Sequence, residues 1–305
     1  MATKNTLRPY KFMPDIGQWF GVSRTPYRQI PEVPYVWGEL PRRLKLCTWN
    51  VADDAPHPNP RTRLARVLAH LASTIDATEP CVIALQDVHV SAFGTLLASR
   101  WVRAYFLVVP ARPTEWPAGS DVGPVTLMSA RIPLASAQML VFGRSAERRC
   151  ALLVDILIEG GRAGAQTLRI ANARLEGRVE GFAARKAQMG ILAAEVRGTG
   201  AWAVGGIICG SMNPFAHADG GLARENGLID AWEKDWDVGR GCEADGEGYT
   251  WNGDETMYPG RVDKVLFTDS NVYAVRKVRR IGVGLDENGH CGLEVRVRVR
   301  DWDRE

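Results

Sequence analysis

The stretch IICGSMNPF, residues 207–215, runs from three apolar residues into a glycine and then into polar ones. Ile207, Ile208 and Cys209 suit a strand buried in a sheet core, and Gly210 lets the chain turn sharply as it leaves the sheet. A loop at such a strand end is where a site belongs. Here it carries Ser211, Met212 and Asn213, with no carboxylate among them.

Strand and helix signals alternate on both sides of this stretch. Upstream, LKLCTWNV reads as a strand, RTRLARVLAHLAST as an amphipathic helix with Leu64, Val67, Leu68 and Leu71 on its apolar face, and CVIALQDV as a buried strand. A helix over SAFGTLLASRW follows. PVTLMSA, AQMLVFG, CALLVDILI and TLRIANARL then read as successive strands, a pattern that favours antiparallel pairing. A long helix spans roughly Glu180 to Val196. Beyond it, AWAVGGIICG is a strand, LARENGLIDAWEKDW is helical, and RVDKVLFT, YAVRKVRRIGV and CGLEVRVRVR are strands. Each half predicts a mixed sheet with helices on its outer side. Two such sheets face to face give a four-layer α/β/β/α sandwich with strand-end loops along one edge. Residues 1–43, rich in Pro, Tyr and Trp, predict an extended arm packed on a main domain over 44–305.

Composition narrows the function classes. With 305 residues and 46% apolar content the chain can bury a sizeable core, and its apolar runs are far shorter than a membrane span. Together with an N-terminus that lacks an apolar signal region, this points to a soluble protein of the cytoplasm, or of the nucleus. Six cysteines without CxxC spacing suit reduced core thiols. A net charge of +3 favours a small-molecule partner over nucleic acid, and the basic runs RRLK (42–45), ERRC (147–150) and RKVRR (276–280) read as solvated faces.

Seven short segments fall in a telling order: TWN ending at Asn50, LQDV with Asp87, NARL (172–175), GSMN (210–213), GYTWNG (248–253), GRVDKVLF (260–267) and NGHCGL (288–293). Together they resemble the endonuclease/exonuclease/phosphatase superfamily, the DNase I-like fold, over about residues 44–300. TLMSARIPL, and LIDAWE followed by YTWN, resemble its tyrosyl-DNA phosphodiesterase 2-like branch. The resemblance implies a Mg²⁺-dependent phosphodiesterase site, and its residues carry over unevenly. Asn50, Asn213, Asp263 and His290 match the family's pattern. Asp87 stands where the family has a metal-binding Glu, Arg174 where it has a His, Ser211 where it has the water-activating Asp, and Gly289 where an Asp precedes the last His. A hard cation wants carboxylate oxygens, and losing a general base costs ~10²- to 10⁴-fold in rate.

The resemblance therefore implies lost hydrolytic machinery and a site repurposed for metal-independent acid/base chemistry on a small molecule, as in a biosynthetic pathway. His290, oriented by Asp263, and Arg174 are the expected working groups. Asn50, Asn213, Ser211, Asp87 and Trp251 are the expected substrate-binding groups. No cofactor is expected, and Asp87 is the one candidate metal ligand. Mg²⁺ enters if the chain is instead a divergent phosphodiesterase, and a pseudoenzyme that binds nucleic acid or protein is the other alternative. Each residue also has a plain structural role available. Asn50 and Asn213 suit loop caps, Asp263 a surface ion pair with Arg261 or Lys264, His290 a buried satisfied ring, Trp251 core, and Arg174 a salt bridge to Asp87. A Ser211–His290–Asp263 nucleophilic set is conceivable, although GSMN lacks the GxSxG elbow. His57, His70 and His89 read as surface or supporting residues, and His217 as a residue near the cleft rim.

Overall fold

The computed structural model describes residues 2–22, 40–52, 59–143, 145–160, 164–198, 203–237, 248–253, 258–285 and 289–300. His57, Cys242 and residues 23–39 of the arm lie outside them.

Three short strands, β1 (Thr3–Thr6), β2 (Tyr10–Met13) and β3 (Gln18–Gly21), precede the first long one, β4 (Arg43–Asn50). Helix α1 (Pro60–Thr74) begins where the Asn59 side chain accepts a hydrogen bond from the Thr62 N–H at 3.1 Å, with Pro60 in its first turn. It buries Leu64, Val67, Leu68 and Leu71, the face its periodicity predicts, and also Arg63. Next come β5 (Cys81–His89), α2 (Phe93–Ala98), α3 (Arg100–Tyr105), β6 (Phe106–Val109), β7 (Val122–Ser129), β8 (Leu134–Val141), β9 (Cys150–Glu159), β10 (Ala165–Arg174), α4 (Phe182–Arg197) and β11 (Ala203–Ser211). The chain continues through α5 (Leu222–Glu225), β12 (Leu228–Asp230), α6 (Ala231–Asp237), β13 (Asp263–Thr268), β14 (Tyr273–Ile281) and β15 (Gly292–Val299).

These strands form two mixed sheets, as expected. One has eight strands in the order β14-β15-β4-β5-β7-β6-β2-β3, and the other has seven in the order β1-β8-β9-β10-β11-β13-β12. The division between them is not by halves of the chain. β8, β9 and β10 join the later strands because β10 runs parallel to β11, a pairing that needs a crossover, and α4 supplies it. β15 then returns antiparallel to β4, carrying β14 with it.

Two other expectations change. The helix predicted over SAFGTLLASRW is two short helices, because Ser99 takes an extended ψ of 121° and its side chain caps α3. LARENGLIDAWEKDW is not one helix. Gly227, at φ +62°, ends the first turn of helix, and Leu228–Asp230 pairs with β13 before α6 begins. The described part of the arm extends both sheets: β1 pairs with β8, and the β2–β3 hairpin pairs with β6.

The larger apolar cluster fills the space between the sheets and beneath α1, and includes Leu46, Val82, Val154, Ile170, Cys209 and Val295. A second lies between the seven-stranded sheet and α4, with Ala171, Ala173, Met189, Leu192, Ile208 and Leu266. The alternation Ile170/Ala171 and Ile208/Cys209 is that of strands buried on both faces. Within the apolar interior, Gln86 Nε2 donates to Thr48 Oγ1 at 2.9 Å and to Asn172 Oδ1 at 2.8 Å. Asn172 Nδ2 in turn donates to the carbonyls of Leu85 and Val125, both at 3.0 Å. Cys47, Cys81, Cys150 and Cys209 are buried unpaired thiols, and burial pushes Cys81, Cys150 and Cys209 up to about 12. No helix among the described residues is long and apolar enough to cross a membrane.

Candidate functional site

The C-terminal ends of two parallel strand pairs, β4–β5 and β10–β11, meet along one edge of the sandwich. Asn50 ends β4, Asp87 sits near the end of β5, Arg174 ends β10 and Ser211 ends β11, while Asp263 begins β13 beside Ser211. Residues that are far apart in sequence thus converge because parallel strands put like ends together.

A chain of hydrogen bonds runs through the floor of this cleft. Asn50 Nδ2 donates to Ser211 Oγ at 3.0 Å, and Ser211 Oγ donates to Asp263 Oδ1 at 2.6 Å. The other carboxylate oxygen, Asp263 Oδ2, lies 2.6 Å from His290 Nδ1, and the Asp263 N–H donates to Thr250 Oγ1 at 3.0 Å. Burial on its own raises the Asp263 carboxyl. The charge of His290, together with hydrogen bonds from His290, Ser211 and Thr250, outweighs that and holds it below the usual carboxylate range. Asp263 is therefore an ion inside the protein rather than a surface partner of Arg261 and Lys264, which instead pair with Asp230.

His290 is fixed on its other side too. Its carbonyl accepts from Trp49 Nε1 at 2.8 Å and from Arg63 Nη2 at 2.7 Å. Trp251 lies against its ring with centroids 6.2 Å apart, and Phe215 packs edge-on against Trp251 at 6.1 Å. With Nδ1 taken by Asp263, Nε2 is the ring nitrogen left for a ligand.

Asn50 and Ser211, expected to bind substrate, are fully buried and satisfy each other. Through Ser211 they join the chain that leads to Asp263 and His290. The nucleophilic order Ser–His–Asp is not built: Asp263 stands in the middle, so the serine proton goes to the carboxylate and not to the imidazole. Asn213, at φ +49°, spends its amide on the carbonyl of Leu175 at 2.8 Å and ties the 211–215 loop to the end of β10. Fully buried Arg185 reinforces that join. It pairs with Asp219 through Nε at 2.8 Å and Nη2 at 2.7 Å, while Nη1 donates to the carbonyls of Glu176, Gly177 and Arg178. His217 is exposed in the turn beyond this loop, His89 caps the turn after β5, and His70 packs against Trp49 behind the sheet.

Asp87 occupies an irregularity in β5, with φ +55°, a left-handed conformation that Asp tolerates better than most side chains. One of its oxygens is ion-paired to Arg174 and the other lies 3.6 Å from Nη1 of Arg149. Arg149 belongs to the ERRC run read as a solvated face. Only its reach inward, from the residue before β9, makes it a site residue, and a charge pattern alone does not signal this. Around these side chains is a cavity of about 20 Å³, lined among others by Gln86, Glu147 and Cys150, with room for about one water molecule.

A hard divalent ion takes six or more oxygen ligands, carboxylates foremost. Both oxygens of Asp87 face guanidinium groups, and both oxygens of Asp263 are used by Ser211 and His290. Among the described residues, no group of three His, Cys, Asp or Glu side chains could hold an ion. The donor set at this cleft does not fit Mg²⁺.

No protein-family model matches the sequence, and no curated protein does. Solved structures do resemble it. A D. rerio TDP2 humanised by 14 mutations is 18% identical, with a TM-score of 0.63 over 85% of this chain and 100% of that one. D. rerio TDP2 complexed with single strand DNA product is 17% identical, with a TM-score of 0.61 over 84% and 99%. An endonuclease/exonuclease/phosphatase from Bacteroides vulgatus is 12% identical, with a TM-score of 0.58 over 85% and 99%. The chain therefore has the DNase I-like fold of the endonuclease/exonuclease/phosphatase proteins. Within that fold it resembles TDP2 structures over nearly their full length.

Proposed function

We propose that this cleft performs acid/base chemistry on a small molecule without a divalent metal, with His290 as the group that exchanges protons. The observation that carries the proposal is the Asp263–His290 contact at 2.6 Å. An ionised, buried Asp263 accepts a hydrogen bond from Nδ1, which orients the ring and leaves Nε2 as the nitrogen that exchanges a proton with a ligand. Trp251 and Phe215 give a flat ligand an apolar wall beside that nitrogen. Arg174, tied to Asp87, serves as a neutralised binding group rather than a free cation. In this view the protein acts in the cytoplasm, where its unpaired thiols stay reduced, at a step of a biosynthetic pathway.

A second reading draws on the D. rerio TDP2 structure that holds single strand DNA product on the same fold. It makes this chain a nucleic-acid-binding module without hydrolysis. Purified protein assayed on 5′-phosphotyrosyl oligonucleotide and plain single-stranded DNA, with Mg²⁺ or Mn²⁺, is expected to show no turnover. Robust turnover overturns both readings in favour of a divergent phosphodiesterase. Ligand-detected NMR of a small-molecule library against wild type and H290Q then separates the two. Hits lost in H290Q support the small-molecule site, whereas tight DNA affinity that falls steeply with salt, with no such hits, supports the binding module.

A further inference from the structure

The misfit between the donor set and a divalent ion has a positive side, because other cations stand in the cleft. Asp87 is bracketed on both oxygens by guanidinium groups from two strands' ends, Arg174 on one and Arg149 on the other. Arg149 is itself held in place. Its Nε and Nη2 donate to Glu147 Oε2 at 2.9 and 2.7 Å, and the same oxygen accepts the Gly177 N–H at 2.7 Å. On the His290 side, a Cβ at Gly289 would lie 2.6 Å from Nη2 of Arg63. That guanidinium is buried, with the residue 2% exposed, and is fixed by its hydrogen bond to the His290 carbonyl.

We infer that Arg174 and Arg149 are resident cations that take the place and charge of a divalent ion at Asp87, and that Arg63 fills the space a carboxylate side chain at 289 would need. The cleft is thus a guanidinium–carboxylate site that excludes Mg²⁺ by charge and by volume. A guanidinium carries a permanent charge and a planar fork of donors that matches a carboxylate. This inference rests on the metal-free half of the proposed function and is independent of whether His290 exchanges protons.

Thermal melting reads it without any assay of activity, because an ion that binds the folded state raises the melting temperature. Wild type is expected to melt at the same temperature in about 10 mM MgCl₂ as in NaCl of equal ionic strength. R174A, at a site near the surface, is expected to melt lower and to regain a good part of the loss in MgCl₂ but not in matched NaCl. R174Q, which preserves more of the side-chain volume, serves as the second variant and is expected to respond in the same direction. A wild-type rise in MgCl₂ as large as that of the variants overturns the inference, as does the absence of any Mg²⁺-specific response in both. Arg63 is read with G289D, whose side chain would overlap the fixed guanidinium, so a lower melting temperature that MgCl₂ does not restore is expected. A Mg²⁺-dependent rise in G289D overturns the role given to Arg63.

Discussion

Replacing Asp263 is the sharpest probe of the cleft floor. The carboxylate is 1% exposed and accepts from Ser211 Oγ and His290 Nδ1, each at 2.6 Å. Hydrogen bonds to a charged group contribute ~1.5–3 kcal/mol each, and in D263A both partners remain buried without their acceptor. The expected loss in unfolding free energy is therefore ~3–5 kcal/mol, as when one member of a buried pair is removed. D263N keeps the shape and one acceptor, and about half of that loss is expected. Urea denaturation followed by circular dichroism measures both. D263N also changes chemistry: if the amide oxygen takes the Ser211 hydroxyl, its NH₂ faces His290 Nδ1 and pushes the ring proton to Nε2. Long-range proton–nitrogen NMR of the imidazole should then show Nδ1–H in the neutral wild type and Nε2–H in D263N. A D263A protein within ~1 kcal/mol of wild type, or an unchanged tautomer in D263N, would refute the buried dyad.

The remaining predictions concern pH and the loop joint. Burial alone raises Asp230, but Lys264 and Arg261 more than reverse that and hold it low, as His290 does for Asp263. With unfolded carboxyls titrating near 3.9, the stability from both groups is fully present above that value and drains away as pH falls through it toward their lower folded values. Urea midpoints measured from about pH 6 to pH 3 should fall steadily below about pH 4, and a flat profile would exclude these two carboxylates as contributors. R185M strands the Asp219 carboxylate and four backbone carbonyls, so a loss of ~3–5 kcal/mol is expected, with part recovered in R185M/D219A. Equal stability of R185M and wild type would remove Arg185 from the joint between the loops.

Much of this architecture is visible in the sequence. β4, β5 and β11 are legible because each is a run of apolar residues that ends at a polar side chain of the cleft, and α1 is legible because Leu64, Val67, Leu68 and Leu71 fall on one face. The company of Asn50, Asp87, Arg174, Ser211, Asp263 and His290 was legible through motif order. Their hydrogen-bond partners were not, since which oxygen of Asp263 faces Ser211 depends on strand register. Arg149 was hidden for a local reason: in a run of charged residues, periodicity does not tell which one turns inward. The assignment of β8–β10 to the far sheet was hidden because pairing is decided by the crossover through α4 and not by adjacency in the chain.

The contact between Gln86, Thr48 and Asn172 bears on how the two sheets are aligned. Apolar burial is non-directional, so two greasy sheet faces lose little when one slides past the other. Hydrogen bonds do not share that tolerance. A slip by one residue pair, about 6.6 Å along the strands, would part Gln86 from Asn172 and orphan buried amides on both sides, at about 1–3 kcal/mol apiece. The alignment that keeps those amides paired is also the one that brings Asn50, two residues beyond Thr48, against Ser211, two residues beyond the β11 partner of Asn172. A handful of polar atoms in the interior thus selects, among many equally oily arrangements, the one in which the cleft exists.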